Sequence, residues 1–162
     1  MQESRVIKGR VLYHCEESLT LARGASLIYR RCKHECWQKW STLPVSQFCQ
    51  FAMRIPILAR LLRLGVHHLV FSGDEAVLIA NKQSCLIHAD QAFSLGPLAG
   101  SRPMVLCAGK GSVYYGEYRS NPERSAVHVF RLDRELMSWM PAWQFTNVRH
   151  VHGVFFDAYT GS

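Results

Sequence analysis

Eight residues have the types and spacing to do chemistry: Glu117 and Tyr118, with Arg102, Asn121, Arg124, Arg149, His150 and His152. A carboxylate beside a phenol can exchange protons. Arginines brought together grip a carboxylate or phosphate through paired N–H donors. The run 116–124, GEYRSNPER, joins a glycine that admits close approach to an Asn121-Pro122 turn that would aim Asn121 and Arg124 from a loop. Strand alternation puts Tyr114, Gly116 and Tyr118 on one face and Tyr115, Glu117 and Arg119 on the other. Glu117 and Tyr118 can therefore serve one site only where the strand bulges. The plainer alternative makes Glu117 and Arg124 an ion pair and the tyrosines core residues. His150 and His152 share a strand face and, with His67 and His68, would line a polar channel or offer imidazoles to a metal. Cys32 and Cys36 form one short pair where a structural zinc takes two, so neither a metal nor any other cofactor is expected.

Positioning these groups falls to short strands. Apolar runs at 11–13, 26–29, 68–71, 76–80, 85–88, 104–108, 112–118, 126–130 and 151–156 are bounded by turn residues such as Ser72-Gly73-Asp74, Asn81-Lys82 and Gly109-Lys110-Gly111. Strands of this length with turns at this density predict an all-β, up-and-down antiparallel meander. One stretch departs. Between Ser46 and Leu64, Phe48, Phe51, Ile55, Leu58 and Leu62 fall at helical spacing, with Pro56 inside it, where a helix would lose a hydrogen bond. The expectation there is an insertion followed by a strand ending at Gly65, with a basic amphipathic membrane helix as the alternative.

Three segments repeat a layout of apolar strand, polar turn and returning Trp or Leu: 26–37, 84–95 and 126–139. A period of roughly 40–55 residues holding about four strands is the signature of propeller blades. The turns resemble the Asp-box of sialidase-type β-propellers, Ser-x-Asp-x-Gly-x-Thr-Trp/Phe. Asp90 and Ser94 fit the second copy. Cys36-Trp37 takes the Thr-Trp place in the first, with Cys32 where the Asp would stand. Asp133 and Trp139 fit the third with one extra residue between them. Residues 59–69, 100–103, 116–124 and 149–153 look like landmarks of bacterial propeller proteins loosely grouped with glycosidases and sialidases. The resemblance covers the last hundred residues well and the first sixty weakly.

That resemblance implies an all-β partial propeller of about three blades, roughly 5–45, 60–98 and 102–145, with the start of a further blade at 148–162. Such proteins run to about twice this length, so a truncated N-terminal half, incomplete at the C-terminus, is expected. The implied ancestor acts on or binds an acidic carbohydrate. Arg102, Asn121, Arg124 and Arg149 would hold the ligand with His150 and His152. Glu117 or Tyr118 would be acid/base or nucleophile if chemistry survives, and a truncated chain is expected to be inactive. The rival is a noncatalytic interaction module that uses open blade edges to self-associate or bind a protein.

Composition narrows the classes. Of 162 residues, 48% are hydrophobic and 19% charged, enough for a core and against wholesale disorder. The net charge of +7 sits in the first part: residues 1–65 carry eleven basic and four acidic side chains, residues 66–162 eight of each. No recognition helix or basic-aromatic motif accompanies that charge, so specific nucleic-acid binding is not expected. No phosphate loop, Gly-x-Ser-x-Gly elbow or Ser-His-Asp order is present. Neither a membrane span nor a signal peptide is expected. Six dispersed cysteines then read as reduced thiols in a cytoplasmic protein.

Overall fold

The structure, a computed structural model, describes residues 8–24, 26–33, 35–81, 83–98 and 103–160. Strands β1 (Arg10–His14), β2 (Ser18–Arg23), β3 (Leu27–Cys32) and β4 (Gln38–Thr42) form the first sheet. The second holds β5 (Val66–Ser72), β6 (Glu75–Ala80), β7 (Gln83–His88) and β8 (Gln91–Pro97). The third holds β9 (Leu106–Gly109), β10 (Ser112–Gly116), β11 (Val127–Asp133) and β12 (Ser138–Phe145). Each sheet is an antiparallel meander in which chain order is spatial order, as the sequence predicts. One sheet falls within each of the three spans 5–45, 60–98 and 102–145.

Two of the two-residue turns have both residues at positive φ: Ala89 and Asp90 between β7 and β8, and Lys110 and Gly111 between β9 and β10. This is the turn whose twist matches the right-handed twist of the strands it joins. The three repeated segments all become the hairpin between the third and fourth strands of a sheet. In the last of them the Asp133 carboxylate closes the turn by accepting from the Leu136 N–H at 2.9 Å.

The sheets stack face to face, β1 against β5 and β5 against β9, with β4 against β8 and β8 against β12. The middle sheet is therefore buried on both faces. Ala76, Leu78, Ala80, Cys85 and Ile87 pack toward Ala22 and Ile28 of the first sheet. Val77, Ile79, Leu86 and Leu95 pack toward Val113, Tyr115, Phe130 and Leu132 of the third. This explains why residues 76–80 read as an unbroken apolar run: with both faces buried there is no polar alternation to write. Burial also pushes the Cys85 thiol up to a pKa of about 11. Trp139 reaches across the second interface, its indole N–H donating to Ser84 Oγ at 2.8 Å and its ring edge-on to Tyr115.

Two expectations are corrected. Residues 46–64 hold two short helices, α1 (Gln47–Ala52) and α2 (Pro56–Leu62). Ser46 caps α1 by accepting from the Cys49 N–H. Pro56 starts α2, where the missing N–H costs nothing and the fixed φ is already helical. No strand ends at Gly65; β5 begins just after it, anchored by the Gly65 N–H donating to Asn81 Oδ1 at 2.8 Å. Residues 151–156 do not form a strand either. They cross the outward face of the third sheet, Val151 lying on Gly116 and Phe156 on Gly109, both positions where a Cβ would clash. Gly116 does admit the close approach that its place in a strand suggests.

Strand direction puts Gly24 and Ser26, residues 43–65, Asn81 and residues 117–126 at one end of the sheets, and the hairpins after β1, β3, β5, β7, β9 and β11 at the other. At the first end Arg10 donates to His67 Nδ1 across two sheets. At the second, Arg134 donates to Ser72 Oγ and pairs with Glu75. Eight acidic residues sit in the hairpins of that second end: Glu16, Glu17, Glu35, Asp74, Glu75, Asp90, Asp133 and Glu135.

Candidate functional site

The loop 117–126 between β10 and β11 carries four of the eight candidates, and the segment leaving β12 carries three more. Arg102 lies outside the described residues. The loop starts because Glu117 ends the β10 ladder: its N–H donates to His128 O, and its carbonyl accepts from Val151 N–H at 3.0 Å. Glu117 thus sews the crossing segment to the sheet through its backbone.

Its side chain turns inward and is buried. Oε1 accepts from Arg119 Nε at 2.8 Å. Oε2 accepts from the His128 backbone N–H at 3.0 Å and lies 3.3 Å from His128 Nδ1. Arg119 goes on to donate to Ser125 Oγ and the Ala126 carbonyl. Both carboxylate oxygens are engaged, one by the loop and one by β11, and the ion-pair partner is Arg119, not Arg124. Strand alternation, which puts Glu117 and Arg119 on one face, carried that signal; His128, eleven residues on, left none.

Asn121 is the loop's second internal tie, also buried. Its Nδ2 donates to the carbonyls of Ser125 at 2.7 Å and Val148 at 3.2 Å, and its Oδ1 accepts from the Ser125 N–H and hydroxyl. One amide side chain thereby holds the loop to the segment that delivers Arg149 and His150. Its hydrogen-bonding capacity is filled, so it positions its neighbours. Arg124, which follows in the left-handed region at φ 52°, and Arg149 are both exposed.

Three of the candidates do come together. The Tyr118 ring packs 4.4 Å from His150 and 5.9 Å from His152, centroid to centroid. The two imidazoles face each other with Nε2 atoms 3.0 Å apart. At that distance one ring nitrogen can donate to the other, the tautomers deciding which. The cluster therefore presents a phenol and two imidazoles, with neighbouring arginine side chains in solvent. Glu117 and Tyr118 point to different partners, as alternation dictates. Among the described residues no three His, Cys, Asp or Glu side chains gather as a metal site.

A site of this make-up can bind an anion or a hydroxyl-rich ligand by hydrogen bonding and aromatic contact. Acid–base work at Glu117 would require first breaking its bonds to Arg119 and His128. Concavities also lie elsewhere among the described residues. One of about 360 Å³ lies between residues 14–19 and 31–35 at the acidic end; there the Cys15 thiol, hydrogen-bonded to Ser18, is held below its usual pKa. Another, of about 280 Å³, lies between the first two sheets beside Arg30, Trp40, Phe71, Asp74 and Asp90. A third, of about 90 Å³, lies between Leu43–Ser46 with Cys49 and Ala80, Asn81, Gln83 and Cys85. No family model, curated protein or solved structure matches this chain.

Proposed function

We propose that the three sheets are successive blades of a sialidase-like β-propeller, and that the protein binds an acidic carbohydrate without turning it over. The blade assignment is supported by the uniform stacking of first strand on first strand and fourth on fourth, and by the repeated third hairpin with its Asp133 closure. The packing of Val151 and Phe156 on the glycines of β10 and β9 supports a further layer resting on the third sheet. The observation that carries the binding assignment is the Tyr118–His150–His152 cluster, assembled from two connections and flanked in sequence by Arg119 and Arg149. Tyr118 supplies a ring face for a sugar, the imidazoles supply a donor and an acceptor, and Arg124 and Arg149 supply charge for a carboxylate. The engagement of Glu117 by Arg119 and His128 supports binding over hydrolysis.

Calorimetric titration with sialosides, uronides and neutral sugars tests this. Saturable binding of the acidic sugars alone is expected, weakened about tenfold or more by Arg149→Ala and by His150→Ala. Equal binding of neutral sugars, or none of the acidic ones, overturns it.

A second assignment, self-association through an open blade, is favoured by one observation. Met140, Trp143 and Phe145 are all exposed on β12, Trp143 at 53%, on the outermost sheet of the stack. Light scattering of the wild type and of Trp143→Asp, which places a charge there, would reveal any assembly built on that face.

A further inference from the structure

We propose that the connection between the first two sheets is a docking knob for an anionic lipid surface. Loops ordinarily put polar groups into water. This one does the reverse. Phe48 and Phe51, one turn apart on α1, are 61% and 58% exposed; Ile57 and Leu61, one turn apart on α2, are 80% and 76% exposed. The i, i+3 and i, i+4 spacings put each pair on one side of its helix. Ala52 is the one fully buried residue of the two helices, with Cys49, Leu58, Ala59 and Leu62 half-buried beside it, so Phe48, Phe51, Ile57 and Leu61 are left over from the packing. Helices of six and seven residues also gain little from their own hydrogen bonds, which leaves an external apolar phase as the physical reason for the pattern.

Charge identifies that phase. Arg54, Arg60 and Arg63 stand exposed among the apolar side chains, and no Asp or Glu occurs between Glu35 and Asp74. A hydrophobic groove on a protein partner would be satisfied by the apolar side chains alone. Apolar groups ringed by cations of one sign match a bilayer boundary, where Phe, Ile and Leu enter about 5–10 Å and guanidinium groups rise to the phosphates. The rest of that end agrees. Among the described residues its acidic side chains are Glu117, which is buried and paired, and Glu123, against Arg10, Arg23, Arg124 and Arg149 on neighbouring connections and strand ends. The acidic hairpins all lie at the opposite end, an arrangement that orients the molecule knob-first toward negative charge. No helix among the described residues is long and apolar enough to cross a membrane, so the contact is at the surface.

Flotation of the full chain with liposomes tests the proposal. Binding is expected to vesicles containing phosphatidylserine and not to pure phosphatidylcholine, and to weaken at high salt. Phe48→Ser with Phe51→Ser, and separately Ile57→Ser with Leu61→Ser, should each abolish flotation while shifting the circular dichroism melt little, because more than half of each side chain faces solvent. Each of Arg54→Ala, Arg60→Ala and Arg63→Ala should weaken binding on the order of fivefold. Failure to float with anionic vesicles overturns the proposal. So does flotation that survives the serine pairs, or a serine pair that dissolves a self-associated species while lipid binding is absent.

Discussion

A buried carboxylate beside an arginine is ambiguous in a sequence, because the same pair serves a catalyst and a clamp. Geometry separates the two for Glu117. A general acid keeps one oxygen directed at solvent or substrate; here one oxygen already accepts from Arg119 on the loop and the other from His128 on β11. Glu117→Gln keeps the volume and replaces one acceptor by a donor facing Arg119 or the His128 N–H. The expected cost is about 1.5–3 kcal/mol, because a charge-assisted bond is lost and a buried donor is left facing a donor. Arg119→Met should cost less, since that guanidinium is one-third exposed and water replaces part of its partner. Urea melts of the two variants check the ranking. A Glu117→Gln variant as stable as wild type would return Glu117 to the list of groups free for chemistry.

At the scale of elements, glycine positions tell which segments touch. Gly116 does not have a positive φ among the values that mark the left-handed region, so its role is space: an added Cβ would lie 2.3 Å from Val151 Cγ1. Gly116→Ala should therefore lift residues 148–156 off the third sheet and break the Val151 N–H bond to Glu117. Limited proteolysis should then cut that segment faster, and Gly116→Ala with Val151→Gly should recover protection in part. If Gly116→Ala alone digests like wild type, the segment does not rest there.

The strands and hairpins were legible because their signals are local: period-two patterning, two-residue turns, a repeat in the third hairpin. The helices were half legible. Phe48, Phe51 and Ile55 announce the spacing, but Pro56 looks like a breaker until the chain is seen to stop at Ile55 and restart with the proline at the first helical position. Residues 151–156 misled because β-branched and aromatic residues favour a strand whether or not a ladder partner is present. In the site, alternation foretold that Glu117 and Tyr118 part company. It was silent on the meeting of Tyr118 with His150 and His152, since contacts across thirty residues of chain leave no spacing to read.

For the whole molecule the decisive feature is a middle sheet with no free face. Stacked repeats hold together by their interfaces, and their cooperativity depends on how strongly each unit is coupled to the next. Here β6 alternates between the two interfaces residue by residue: Leu78 enters the first core, Val77 and Ile79 the second. A cavity at one residue of a six-residue strand cannot leave its neighbours in place, because close-packed interiors transmit displacement. Leu78→Ala is expected to cost about 2–5 kcal/mol and to lower the stability of all three sheets together. Hydrogen exchange reads this directly. The amides of Val113 and Tyr115, which touch only the second core, should lose protection by the same free energy as those of Ile28 in the first. If β10 keeps wild-type protection while β2 and β3 loosen, the sheets are independent leaves, and the stack is held by something other than the shared strand.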